Sequence, residues 1–514
     1  MAAVVTDQFR IVNASNFVDS VVSDNNSYYV FLSLDNPTTV GFGRSTDWNS
    51  NTPSPTDNLQ YSGHYRDTTL FGKKITSSNI RRLIRKVTWT SNTSYEMYRH
   101  DYSISTPTPN SNSSRLYDSN YYVINSDYKV YICIDNGSSS TNPKGNKSQD
   151  EPTFTDLEPS AAGVSGDGYI WKYLFSVSPS DIIKFDSTEY VVVPNNWATS
   201  TDSQIVSVRE AGNSDVNSNQ IKKVYISDGG SGYNSDTKTV DILGDGSGGR
   251  VSITVDNTGS VTSAIVTSGG NGYTWGVVDL GSFQLGGSLQ NPAKLIPIIP
   301  PSKGHGYDIY SELGTDKVLV YARFDDSTKD FPTDTQFSQV GIIKNPTTFT
   351  SDTIFTENQY SSLYAIKLTA AFSGTPTIGG EMTQTRTDGK IAKGYVASYD
   401  SETRVLKYFR DRSLYFGNSQ NEVDYNTVTE DSKVYNFQSS ASTIAPFTGS
   451  IETSFNDNKV TVGSKVIDLG VTFTGGLANP EINKKTGDII YIDNRPLVER
   501  DIRQKEDVKI ILEF

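Results

Sequence analysis

The stretch Gly166 to Phe175, GDGYIWKYLF, leaves this chain little conformational choice. Tyr169, Trp171 and Tyr173 alternate with Ile170, Lys172 and Leu174, and a period of two gathers the aromatics on one face only in an extended strand. The stretch opens on Gly166-Asp167-Gly168 and ends on Phe175. After a charged turn, Glu189-Tyr190 leads into Val191-Val192-Val193-Pro194, a second β-branched strand. A strand with one aromatic face packs a core or a subunit interface; Asp167-Gly168 with Trp171 and Tyr173 leaves a sugar platform as the third option.

Elsewhere the texture is that of short strands and many turns. Only 35% of residues are hydrophobic, yet 30 Tyr and 22 Phe accompany 41 Gly and 20 Pro. The expected fold class is mainly β: a multidomain protein of antiparallel sheets and sandwiches with few short helices. With 514 residues the chain exceeds the size of one core, so two to four domains are expected.

The net charge of −13 argues against the basic footprint that a nucleic-acid backbone requires. The single cysteine, Cys133, excludes an intrachain disulfide and a Cys-rich zinc site. Asp7 and Arg10 interrupt the apolar start, so no signal peptide is expected at Met1 to Arg10, and no apolar run is long enough to span a bilayer.

Tyr28 to Leu34 and Lys129 to Asp135 (KVYICID) read as strands. Ser77 to Trp89 places Ile80, Leu83, Ile84 and Val87 at helical spacing behind a Ser77 or Ser78 cap, which predicts a helix carrying Arg81, Arg82, Arg85 and Lys86 on its surface. That basic face is either solvated or a docking face for an acidic partner. Thr106 to Ser114 and Asn136 to Pro152 read as surface loops or partly disordered segments.

From residue 221, a strand followed by Gly229-Gly230-Ser231-Gly232-Tyr233 is echoed 40 residues later by a strand followed by Gly269-Gly270-Asn271-Gly272-Tyr273. Each copy predicts a strand, a glycine turn at positive φ and a tyrosine returning to the core. This marks an inserted all-β module at 201–300, closed by a hinge at Pro297 to Pro301. A second inserted β-rich module is expected at 351–474, with strands at Gly394 to Ser398 and Val405 to Phe409. At the end, Val508, Ile510, Leu512 and Phe514 alternate with Lys509, Ile511 and Glu513 as a closing strand.

No constellation announces chemistry. Gly244-Asp245-Gly246-Ser247-Gly248-Gly249 lacks the Lys-Ser/Thr and the helix of a phosphate loop. The Gly-Gly-x-Gly turns share a pattern with calcium-binding nonapeptides but lie 40 residues apart rather than in tandem. His64, His100 and His305 lack metal-ligand spacing. His305 and Asp308 are near each other, but there is no GxSxG elbow, and Asp325 with Asp326 cannot be read as a glycosidase pair from sequence. No catalytic, metal or cofactor residues are expected.

Several segments resemble, in one order, the baseplate wedge protein family (the gene-eight product family) of T-even-type contractile-tailed phages. They are Gly41 to Arg44 with Gly43 and Trp48; Ser77 to Trp89; VYICID at Val130 to Asp135; GDGYIWKYLF; EYVVVP at Glu189 to Pro194; GIIKNP at Gly341 to Pro346; and GDIIYIDNRP at Gly487 to Pro496. The resemblance implies wedge-core segments at 1–200, 301–350 and 475–514, interrupted by the two insertions. It implies a non-enzymatic virion protein of the tail baseplate, assembled in the host cytoplasm. Its partners would be a second copy of itself and other wedge proteins, with no nucleic acid and no membrane insertion. Motif residues expected to build scaffold or interface are Gly43, Arg44, Trp48, Asp167, Gly168, Tyr169, Trp171, Tyr173, Phe175, Asn494, Arg495 and Pro496. Asn494-Arg495-Pro496 is expected to turn between closing strands, with Arg495 forking onto a carboxylate or carbonyls. The alternative from a different class is a host-receptor or glycan-binding tail protein, suggested by the tyrosine content and the glycine-turn module.

Overall fold

The computed structural model describes residues 5–34, 52, 54–55, 65–212, 220–283, 291–325, 336–372, 374, 376–410, 435–499 and 504–514. The chain is mainly β, 41% strand against 12% helix, in several antiparallel sheets. Gly43, Arg44, Trp48, His64 and Asp326 lie outside the described residues. The chain divides into two compact units, one of residues 1–16, 81–319 and 511–514, the other of residues 17–80 and 320–510. Near the start is a helix that sequence reading did not anticipate, α1 (Asp7–Val22), whose Ile11, Ala14, Val18 and Val21 are buried at helical spacing.

In the first unit, β4 (Tyr122–Ile124), β5 (Lys129–Asn136), β6 (Ser160–Ala161) and β7 (Tyr169–Ser176) form an antiparallel sheet in the order β4-β5-β7-β6. The aromatic strand β7 is therefore interior to its sheet and closed on both faces: Tyr169, Trp171, Tyr173 and Leu174 are fully buried, Lys172 almost so. Of the three destinations open to its aromatic face, the structure selects the core.

Residues 77–89 correct the helix expectation. Ile80–Arg85 is strand β3, paired antiparallel with β8 (Tyr190–Val193) through Arg82↔Val193 and Ile84↔Val191. Apolar residues at 80, 83, 84 and 87 fit a helix stripe, but they equally fill both faces of a strand buried on two sides, and pairing with Val191–Val193 decides between them. Arg82 is not on a surface; it is 3% exposed, its guanidinium 4.2 Å from the Tyr310 ring centroid. Short helices α2 (Pro179–Phe185), capped by Ser178, and α3 (Ser203–Gly212), begun by Asp202 accepting from Gln204 and Ile205, follow. The second corrects the all-β reading of 201–300 at its start.

Residues 221–299 carry a core of their own built on Val251, Ile253, Tyr233 and Tyr273. The strands β9 (Val224–Asp228) and β14 (Lys294–Pro297) pair with each other. The sheet order of β10 (Asp236–Gly244), β11 (Ser247–Val255), β12 (Val261–Asn271) and β13 (Gly276–Val278) is β12-β11-β10-β13. Both glycine turns take positive φ, Gly230 and Gly232 in one and Gly270 and Gly272 in the other, and both tyrosines are buried. Their hydroxyls accept backbone N–H groups, Tyr233 from Ala293 at 2.9 Å and Tyr273 from Gly249 at 3.0 Å. The proline-rich segment is pinned rather than free: Pro297 pairs with Val224, and the Ile298 amide donates to Lys223 at 2.8 Å. A five-residue helix, α4 (Ile309–Leu313), starts at Asp308 and ends at Gly314 in the left-handed region.

In the second unit, β1 (Tyr28–Ser33), β2 (Thr69–Ile75), β16 (Gln336–Lys344), β17 (Gln359–Ser361) and β25 (Asp488–Glu499) make an antiparallel sheet ordered β17-β2-β1-β16-β25. Its central strand β1 is buried at every residue, and Tyr29 and Phe31 join Ile343, Phe355, Tyr360 and Ile482 in one core. A second sheet, ordered β19-β20-β21-β18-β24, comprises β18 (Tyr364–Lys367), β19 (Glu381–Thr385), β20 (Ile391–Asp400), β21 (Val405–Phe409) and β24 (Leu477–Ala478). A hairpin, β22 (Lys459–Val462) with β23 (Lys465–Asp468), accompanies it. Strands β15 (Lys317–Phe324) and β26 (Glu506–Glu513) have residues in each of the two units, and β26 buries Ile510 while exposing Ile511.

Candidate functional site

The Gly-Asp-Gly turn works as a clasp. Gly166 and Gly168 adopt φ of +67° and +85°, which disfavours a β-carbon, and so present the Asp167 carboxylate to two segments at once. Its Oδ1 accepts from the Tyr169 amide at 2.9 Å and its Oδ2 from the Gln149 amide at 2.8 Å. The Asn146 side chain donates to the Asp167 carbonyl at 2.7 Å, and the Tyr169 hydroxyl donates to the Asn146 carbonyl at 2.8 Å. These bonds hold the Asn- and Ser-rich stretch 136–152. The other polar stretch is ordered by a buried carboxylate: Glu96 accepts from the amides of Asn110 at 2.8 Å and Ser111 at 3.0 Å.

Behind the clasp the aromatics interlock. Tyr169 and Trp171 stack with centroids 5.3 Å apart, Tyr95 meets Trp171 edge-on at 5.8 Å, and Phe175 meets Trp197 edge-on at 6.4 Å. The two tryptophans differ in one respect. Trp197 Nε1 donates to the carbonyls of Gly306 at 3.1 Å and Tyr307 at 3.0 Å, whereas the buried Trp171 Nε1 has no acceptor among the described residues.

Lys172, on the opposite face of β7, is 1% exposed, and its ammonium donates to the Leu157 carbonyl at 2.6 Å. Burial pulls its pKa down to about 8, against the opposing attraction of Glu312. Glu312 is itself buried within α4. Its Oε1 lies 2.5 Å from His305 Nδ1, its Oε2 accepts the Gly306 amide at 2.7 Å, and the His305 ring stands edge-on to Tyr98 at 4.8 Å. The partner of His305 is thus Glu312 rather than Asp308, whose carboxylate caps α4 through the Tyr310 and Ser311 amides. Sequence reading passed over Glu312; the available signal was an acid on the buried turn of a helix capped by the Asp beside His305.

The basic residues of β3 and Lys86 just after it are matched within the first unit. Arg81 pairs with Asp181 at 2.8 Å and Lys86 with Asp186 at 2.9 Å, while Arg85 donates to the Ser119 carbonyl at 2.8 Å and the Asn120 side chain at 2.9 Å.

Asn494-Arg495-Pro496 is not a turn. It lies inside β25, where the register passes from Gln339↔Asn494 to Phe337↔Val498, so Arg495 to Leu497 bulge against Ser338. A bulge is where a strand tolerates proline, because no ladder bond is required of its missing N–H. Arg495 pairs with Asp493 on its own strand at 2.6 Å and is largely exposed. Arg66 also makes a fork, onto carbonyls, donating to Thr486 at 2.6 Å and Gly487 at 2.7 Å where β25 begins. Asn494 ends a polar chain across three strands: Ser33 donates to Gln339 at 3.0 Å, and Gln339 donates to Asn494 at 2.9 Å.

Among the described residues, no group of three or more His, Cys, Asp and Glu is placed to hold a metal ion, and no helix is long and apolar enough to cross a membrane. No protein-family model and no curated protein matches the chain.

Proposed function

We propose that this chain is a structural subunit of a contractile-tail baseplate wedge, residing in the virion and acting through homodimerisation and contacts to other wedge proteins rather than through turnover. One observation supports the reading most directly: segments that resemble the same family in sequence are neighbours in space. KVYICID runs beside GDGYIWKYLF, with Val130↔Phe175 and Cys133↔Trp171, and GIIKNP runs beside GDIIYIDNRP, with Ile342↔Tyr491 and Lys344↔Asp488. Motifs that build sheets suit a scaffold, and obligate scaffold contacts commonly bury about 2,000 Å² or more. Light scattering should give the mass of two chains, and affinity capture should recover other wedge components. A monomer at high concentration that captures none of them would rule the proposal out.

A glycan-binding tail protein is the second reading, and one surface favours it. Trp275, Leu243 and Val277 are 55%, 50% and 52% exposed, and Leu243 and Val277 are paired across β10 and β13. Glycan-array binding by the full chain, lost in Trp275→Ala, would favour this reading over assembly alone.

A further inference from the structure

The segment from Pro301 to Glu312 borders a cleft of about 490 Å³ in the first unit, within the size range of small-ligand sites. Tyr98, Tyr117 and Tyr307 wall it, and Asp308 and Glu312 line it together with Lys303. A cation is already present: the Lys303 ammonium lies 4.9 Å from the Tyr307 ring centroid and 3.4 Å from its hydroxyl. The local field has the sign that favours a cation. The Tyr117 hydroxyl is pushed up to about 12 by burial and then by Asp7, Glu312 and Asp308.

Acceptor capacity remains on Asp308 after its internal bonds are counted. It accepts from the Tyr310 and Ser311 amides and the Ser311 hydroxyl, while a carboxylate offers about four lone-pair sites. Glu312, fully buried and bonded to His305 and Gly306, contributes negative charge behind it. The same unit seats guanidinium groups on tyrosine rings, Arg82 on Tyr310 at 4.2 Å and Arg99 on Tyr225 at 4.3 Å.

We propose that this cleft is a binding site for an arginine side chain presented by a partner polypeptide, with Lys303 as the resident cation that the incoming guanidinium displaces. A planar guanidinium stacks on a tyrosine face and donates in a fork to a carboxylate, which an ammonium cannot do. The proposal goes beyond the assembly reading and stands independently of it.

Calorimetric titration of the full chain with a capped Gly-Arg-Gly peptide, its citrulline counterpart and spermidine tests it. The arginyl peptide should bind at least about tenfold tighter than the neutral citrulline isostere, as expected for a charge-assisted fork on an aromatic face. Lys303→Ala should tighten arginyl binding several-fold, and Tyr307→Leu should weaken it by about threefold or more, with thermal melting as the control for folding. Equal affinity for arginine and citrulline, or no gain in Lys303→Ala, overturns the site. Tighter binding of spermidine than of the arginyl peptide overturns the partner-polypeptide source. None of these results bears on the chain mass measured by light scattering, so the two proposals fail separately.

Discussion

The ring of Phe31 covers Gly341, the residue directly opposite it on β16, so closely that a β-carbon at Gly341 would come within 2.3 Å of Phe31 Cζ and 2.6 Å of the Tyr491 carbonyl. The glycine of GIIKNP is thus required by an aromatic neighbour and not by a turn. Gly341→Ala should destabilise the protein by about 1–3 kcal/mol, the usual cost of overpacking. Urea denaturation measures it. Phe31→Leu in the same chain should recover only part of the loss, because the contact with the Tyr491 backbone remains.

Trp171 and Trp197 are both fully buried, and of the two only Trp197 donates its indole N–H to an acceptor among the described residues. Trp171→Phe should therefore lose packing alone. Trp197→Phe should cost about 1–2 kcal/mol more, since it also leaves the Gly306 and Tyr307 carbonyls without their donor. Equal shifts in denaturation midpoint would show that the indole bonds contribute nothing.

Lys172 sets a pH dependence whose sign is fixed by its lowered pKa. The folded protein releases this proton near pH 8 while the unfolded chain keeps it to about 10.5, so stability rises with pH between those values. Buried Tyr131 and Tyr169, with raised pKa values, act in the opposite direction only once unfolded tyrosine ionises, near pH 10. Comparison with Lys172→Met isolates the lysine: the wild type should gain about 2–3 kcal/mol on the variant between pH 7.5 and pH 10. A pH-independent difference would place the ammonium in water.

Arg66 closes the start of β25 by donating to consecutive carbonyls. Arg66→Lys keeps the charge but not the planar fork, and should cost about 1–2 kcal/mol. Hydrogen exchange should localise the loss to residues 486–492, and uniform exchange across the sheet would contradict the assignment.

Much of the fold was legible because its determinants are local. Alternation in Tyr169 to Leu174 specifies a strand, and the two Gly-Gly-x-Gly turns specify positive φ at Gly230, Gly232, Gly270 and Gly272, because sterics act between adjacent residues. The strand at Ile80–Arg85 was misread because its apolar spacing satisfies two periodicities. Asn494 to Pro496 was misread because proline suits turns and bulges alike. The candidate site was less legible still: Glu312 as the partner of His305 and Lys172 as a buried ammonium depend on which face of each element meets the core.

By itself, then, the sequence determined that this chain is built of strands and turns, where the aromatic strand and the glycine turns lie, and that Cys133 has no intrachain disulfide partner. Only the tertiary structure decided which strands pair, that Gly341 makes room for Phe31, that Ser33 and Gln339 bond across 306 residues of chain, and that three tyrosines enclose an acidic cleft. The physical reason is range. Backbone sterics and periodicity are settled within a few residues, whereas register, burial and charge pairing depend on neighbours that the order of residues does not name.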